Sequence, residues 1–133
     1  MLLNYAEVLP GKYKPGSCEA ELVSIYAKAR FNQGWCYESY ANRALEADST
    51  SGNEVSRSVL KLFGYSEYEY LQSTRIDPLF PSPYKNLGIL YANIYQDKKK
   101  AIANLKQYLK YAPGDPQAES IREYVNKLQG LSE

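Results

Sequence analysis

The chain has 133 residues, with 16 Lys+Arg against 15 Asp+Glu, a formal net charge of +1 and no histidine. One domain is expected at this length, and the even charge balance leaves no electrostatic footprint for nucleic acid or an acidic membrane surface. The missing imidazole removes histidine-based acid–base chemistry, Ser-His-Asp and Cys-His nucleophile systems, and every metal site that uses histidine.

The chain opens Met-Leu-Leu-Asn-Tyr-Ala-Glu, with no basic n-region and an apolar run broken by Asn4 and Glu7, so no signal peptide is read there. Residues 1–17, with Pro10-Gly11 and Pro15-Gly16, are expected to form an arm or linker. No apolar run reaches the roughly 18 residues of a membrane span. The expectation is a soluble chain without membrane insertion; the compartment stays open, with the cytoplasm favoured.

From residue 18, apolar positions recur at helical spacing. Leu22, Ile25, Tyr26, Ala29 and Phe31 predict a helix over 18–32, ended by Asn32-Gln33-Gly34. Trp35, Tyr37, Tyr40, Ala41, Ala44 and Leu45 predict a second over 35–47. A polar break from Asp48 to Asn53 follows, then Val55, Val59, Leu62 and Phe63, closed by Gly64. Ser66-Glu67-Tyr68-Glu69 has the Ser-x-x-Glu form of a capping box and predicts a short helix to about Arg75. Cys18 and Cys36 are too few for a disulfide framework and lack zinc-knuckle spacing. They are expected as two half-buried thiols, with one disulfide open if their helices are antiparallel neighbours.

The clearest signals lie in 82–130. Ser82-Pro83 reads as an N-cap followed by proline at the first helical position. Tyr84, Leu87, Gly88, Tyr91, Ile94 and Tyr95 then form one stripe, broken at Gln96-Asp97-Lys98. Ala101, Ile102, Leu105, Tyr108, Leu109 and Ala112 form the next, stopped by Pro113-Gly114. Asp115-Pro116 repeats the cap-plus-proline signal before Ala118, Ile121, Val125 and Leu128, and Gly130 ends that helix. The short links require antiparallel neighbours. No segment shows the period-two alternation of a strand, so the fold class is all-α.

The helix pairs end in similar phrases. Taking Pro10, Ser49, Pro78 and Pro113 as equivalent gives spacings of 39, 29 and 35 residues. The mean lies close to the roughly 34-residue period of helix–turn–helix solenoids, and Tyr5 to Pro10 reads like the tail of one more unit.

Residues 82–116 resemble a tetratricopeptide repeat (TPR). Tyr84 stands at the bulky aromatic position, Leu87-Gly88 matches the Leu-Gly pair, and Tyr91 the following tyrosine. Ala101 matches the small residue of the second helix, Leu105 its large apolar residue, and Pro113 the closing proline. Gly88 and Ala101 are small because two helices approach closely there. Residues 18–48 match loosely. The segment after Pro113 is similar to the solvating helix that closes such arrays, its outer face carrying Glu119, Arg122, Glu123, Asn126 and Lys127. The resemblance implies a short right-handed α-solenoid over 18–130, of about three TPR-like units plus a C-terminal capping helix.

It also implies where a ligand sits. The first helix of each pair lines a concave groove, which maps to Lys85, Ile89, Ala92 and Asn93, to Ser24, Ala27 and Lys28, and to Ser120 and Tyr124 in the terminal helix. Lys85 fits one position of a carboxylate-clamping groove, but Ile89 stands where that clamp has asparagine, which favours a mixed apolar and polar groove.

No GxSxG, Walker loop, GxGxxG or paired Asp-x-Asp is present, so no catalytic residue, metal site or cofactor is expected. The run Lys98-Lys99-Lys100 is expected on an inter-helix turn in solvent. Fourteen tyrosines stand against three Phe and one Trp. A side chain with an apolar ring and polar tip suits thin seams and interfaces. The expected function is a protein–protein interaction scaffold that takes a peptide or partner helix. The alternative is a tyrosine-rich assembly module acting through homo-oligomerisation, in the first instance a homodimer.

Overall fold

The computed structural model describes residues 14–50 and 56–130, and among these residues it contains helices and turns without a strand. The helices are α1 Cys18–Thr50, α2 Arg57–Ile76, α3 Ser82–Asn93, α4 Lys98–Tyr111 and α5 Ala118–Leu128. None is long and apolar enough to cross a membrane. The chain divides into two compact units, Met1–Asp77 and Pro78–Glu133. Of the expected N-terminal arm, residues 1–13 lie outside the described residues. Ser17 caps α1, its Oγ accepting the Ala20 N–H at 3.2 Å.

In the first unit, the four short helices expected upstream are two long ones. α1 runs unbroken through Asn32-Gln33-Gly34, and α2 through Gly64. Gly34 does not stop a helix; it admits a neighbour. A Cβ built there would lie 2.7 Å from the Tyr70 ring and 3.2 Å from the Ser66 carbonyl oxygen. Ala27, Gly34 and Ala41, spaced by seven, make one buried line of small residues on α1. On α2, Val59, Ser66 and Ser73 make a buried line at the same spacing. The register is antiparallel: the Ser73 hydroxyl donates to the Ala27 carbonyl at 2.7 Å and the Ser66 hydroxyl to the Gly34 carbonyl at 2.8 Å. Extending it by two turns sets Ala41 against Val59. A seven-residue repeat keeps the same faces together along both helices.

Ser66 is therefore not a helix cap. The Ser-x-x-Glu pattern serves the partner helix instead: Ser66 reaches Gly34, while Glu69 accepts from Arg30 at 3.0 and 3.2 Å. α2 is capped by Ser56, whose side chain accepts the Val59 N–H at 3.3 Å. The polar break expected from Asp48 is met by α1 through Thr50, and residues 51–55 lie outside the described residues. Fully buried Tyr70 donates its hydroxyl to Glu38, and burial pushes the Glu38 carboxyl above its ordinary range, with that hydrogen bond opposing. Cys18 and Cys36 are both exposed, not half-buried. Both stand on α1, about 27 Å apart along its axis, so no disulfide joins them within the chain.

In the second unit, α3 and α4 pair antiparallel about another glycine. A Cβ on Gly88 would lie 2.5 Å from Leu105 and 3.2 Å from the Ala101 carbonyl oxygen. Leu87, Ala101 and Leu105 are fully buried beside it. The Tyr84 and Tyr111 rings meet at 5.7 Å, and the Tyr84 hydroxyl donates to the Pro78 carbonyl at 2.8 Å. Ser82 lies inside α3 and Pro81 is its cap residue, without a side-chain cap bond. Lys98, Lys99 and Lys100 form the first turn of α4, not a loop, because Asp97 caps that helix and accepts the Lys100 N–H at 3.1 Å. α5 begins at Ala118, later than Asp115-Pro116 predicts; the Asp115 carboxylate instead takes the Gln117 N–H at 2.8 Å in the preceding turn.

The two helical glycines of the first unit separate packing from propensity. Gly34→Ala should destabilise by about 1–3 kcal/mol, the cost of overpacking. Gly64→Ala, with nothing within 4 Å of its Cβ position, should stabilise by about 1 kcal/mol through backbone entropy. Urea denaturation of both variants checks the pair. Glu38→Gln keeps an acceptor for Tyr70 and removes a charge whose burial raises the folded pKa. Thermal melts should show the variant more stable at pH 7, with the gap closing as the pH falls below the ordinary carboxylate range.

Candidate functional site

Within the second unit, α3 and α5 run alongside each other against α4 and are linked by two side-chain bridges. Lys85 on α3 donates its Nζ to Gln117 Oε1 at 2.6 Å, at the start of α5. Two turns further along both helices, Tyr124 donates its hydroxyl to Asn93 Oδ1 at 3.2 Å. Both bridges advance in chain order, so the two helices are parallel. The eight residues from Lys85 to Asn93 set the bridges about 12 Å apart. Ile89 and Ala92 lie between them on α3, both half-buried.

α5 is held on α4 by Leu105, Tyr108, Ile121 and Val125, with Tyr124 and Leu128 packed against that cluster. Its apolar face recurs at Ala118, Ile121 and Val125, and the exposed Glu119–Arg122 ion pair at 3.1 Å lies beside that face. Arg122 also donates to the Pro113 carbonyl at 3.2 Å, tying the helix back to the turn before it.

A polar cluster forms where α3 meets that turn. Lys85 Nζ stands 5.7 Å from the centre of the Tyr108 ring. Tyr108 is 2 % exposed, and its buried hydroxyl has no hydrogen-bond partner of normal geometry. Burial pushes the Tyr108 phenol up to about 12, and the neighbouring Asp115 carboxylate adds to the rise. Asp115 is held below its ordinary value by the Gln117 backbone N–H first, then by the Tyr108 hydroxyl, with Lys85 contributing. The cluster offers a cation, a carboxylate and an amide on one rim, over a buried phenol.

Lys85 and Asn93 on α3 and Tyr124 on α5, singled out in the sequence, thus take part in the two bridges, and Ile89 and Ala92 stand between them on α3. Ser120 is exposed on α5. Ser24 and Lys28 lie on α1 in the first unit, Ser24 half-buried and Lys28 exposed. Ala27 does not face a groove: it is fully buried in the α1–α2 seam, where its small side chain allows the close approach. Sequence reading missed Gln117 and Tyr108. Gln117 follows a cap-plus-proline signal that hides the true helix start, and Tyr108 is indistinguishable from other members of its apolar stripe until the register brings Lys85 over it. Among the described residues no group of His, Cys, Asp and Glu is placed to hold a metal ion. The chain matches no protein-family model, no curated protein and no solved structure.

The buried Tyr108 hydroxyl, beside Asp115 but without a hydrogen bond of normal geometry, gives a direct check. Tyr108→Phe should leave stability unchanged or raise it by about 1 kcal/mol, because no good hydrogen bond is lost. The folded phenol titrates above the unfolded one, so its stabilising contribution is complete below about pH 10 and declines toward pH 12. That part of the alkaline loss should be missing in the variant, measured by denaturant titration between pH 9 and 12.

Proposed function

We propose that the chain is a tetratricopeptide-type helical repeat protein, built as a short α-solenoid, that works as a non-catalytic interaction scaffold. Its ligand is a short extended peptide of mixed apolar and polar character, held in the furrow between α3 and α5. The observation that carries this is the pair of bridges Lys85–Gln117 and Asn93–Tyr124, which frame half-buried Ile89. The close approach of Gly88 to Leu105 and Ala101 supports the repeat assignment, since those are the positions at which the resemblance calls for small and large partners.

The furrow suits such a ligand physically. A length of about 12 Å accommodates three or four extended residues. The amides of Asn93 and Gln117 carry both donors and acceptors, which a peptide backbone needs at successive residues. Ile89 supplies apolar contact midway, and Lys85 favours an acidic or carbonyl-rich end of the peptide. Both helices keep their packing on Leu105, so a peptide would displace the flexible side-chain bridges above it and leave that cluster in place. Binding by such a site commits few residues, so affinity should rest on two or three anchors.

The test is a random-peptide display library selected on the full chain. Lys85→Ala and Asn93→Ala should each weaken the selected peptides tenfold or more, with helicity and oligomeric state unchanged. Peptides that bind both variants as tightly as the parent chain remove the furrow as the site.

A further inference from the structure

The face of α1 turned away from α2 is apolar and aromatic. At 3.6 residues per turn, Ile25, Ala29, Asn32, Cys36 and Tyr40 share the side opposite Ala27, Gly34 and Ala41, and all five are exposed. Ile25 is 58 % exposed, Tyr40 62 % and the flanking Trp35 57 %, values unusual for large apolar side chains in the middle of a helix. Tyr40 stands between two shallow depressions of about 440 and 370 Å³, one walled by Trp35 and Arg43, the other by Ala29 and Gln33.

We propose that this face pairs with the same face of a second copy of the chain, in antiparallel register about the midpoint between Asn32 and Gln33. Ile25 and Tyr40 are equidistant from that point, as are Ala29 and Cys36. The pairing therefore sets Ile25 of the second copy into the depression beside Tyr40 and lays small residue on small residue near the axis, where the backbones approach. Asn32 and Gln33 meet at the centre, a polar pair that fixes register.

The charges favour this occupant and this direction. Glu21 and Glu46 balance Lys28 and Arg43 along the exposed flanks, so two copies meet without net repulsion. Antiparallel pairing brings Arg43 near Glu21 of the second copy and Trp35 beside its Lys28, a cation–π geometry. Parallel pairing sets Arg43, near the centre of the face, against its own copy and moves the other charges of this flank away from one another. The area is sufficient: Trp35 and Tyr40 expose about 250 Å² between them. The face runs about 40 Å from Cys18 to Ala47, long enough to supply the rest of the roughly 800 Å² per partner of a standard interface.

Sedimentation velocity on the full chain between about 1 and 200 µM should show a monomer–dimer equilibrium, with emission of Trp35, the single tryptophan, shifting to the blue as the dimer forms. Ile25→Lys and Tyr40→Glu alter exposed positions, so circular dichroism should be unchanged while dimerisation weakens at least tenfold. With Cys18→Ser as background, a bismaleimide linker of about 10 Å should join Cys36 to Cys36 across the dimer, whereas oxidation without a linker should not. A chain monomeric at every concentration, its face then left for a different protein or another segment, overturns the proposal. So does a dimer that ignores both substitutions. Ready direct oxidation of Cys36 overturns the register.

Discussion

Each unit closes by seating a large side chain on a glycine. Tyr70 lies over Gly34 in the first and Leu105 over Gly88 in the second, at separations no Cβ can occupy. The rest depends on that approach. In the first unit it brings the Ser66 and Ser73 hydroxyls within reach of carbonyls on the facing helix. In the second it draws α3 onto α4, so that Lys85 reaches across Tyr108 to Gln117. Dense packing of this kind has little tolerance for added volume.

The two seams are stabilised differently. The α1–α2 seam mixes buried apolar groups with fixed polar contacts: two serine hydroxyls, the Arg30–Glu69 pair and the Tyr70–Glu38 bond. Hydrogen bonds of this type contribute little net stability, since water satisfied the same groups before folding. Their effect is specificity, because a slip in register strands every one of them in the seam. The α4–α5 contact is an apolar cluster of four buried side chains, which sets no such exact register. The first seam is a hairpin of fixed register, and the second holds α5 by apolar burial.

Much of this was legible in the sequence, and the misses arise where contact with another helix overrides a local signal or a helix starts later than its cap residues suggest. Helices α3, α4 and α5 follow from stripes bounded by Asp97, Pro113-Gly114 and Gly130, where breaker and cap chemistry coincide with real ends. Upstream, the same rules mislead: Gly34 and Ser66 take their places from the facing helix, and Gly64 stands in open space inside an α2 that is held by its packing on either side of it. The seven-residue spacing of Ala27, Gly34 and Ala41, matched by Val59, Ser66 and Ser73, was present in the sequence as a competing signal for two long paired helices. Of the residues about the two bridges, Lys85, Ile89, Ala92, Asn93 and Tyr124 were named through the resemblance, and Lys85, Asn93 and Tyr124 take part in the bridges. Gln117 could not be named in that way, since it depends on where α5 starts, and neither could the tyrosine beneath Lys85, since that depends on register across α3 and α4.

The central claim is that a peptide lies between α3 and α5. Two-dimensional amide NMR of the full chain, titrated with a library-selected peptide, tests it most directly. A peptide seated there should shift Lys85, Ile89, Asn93, Gln117 and Tyr124 and leave the α1–α2 seam silent. Shifts confined to α1 or α2, or scattered over both units, would contradict the claim.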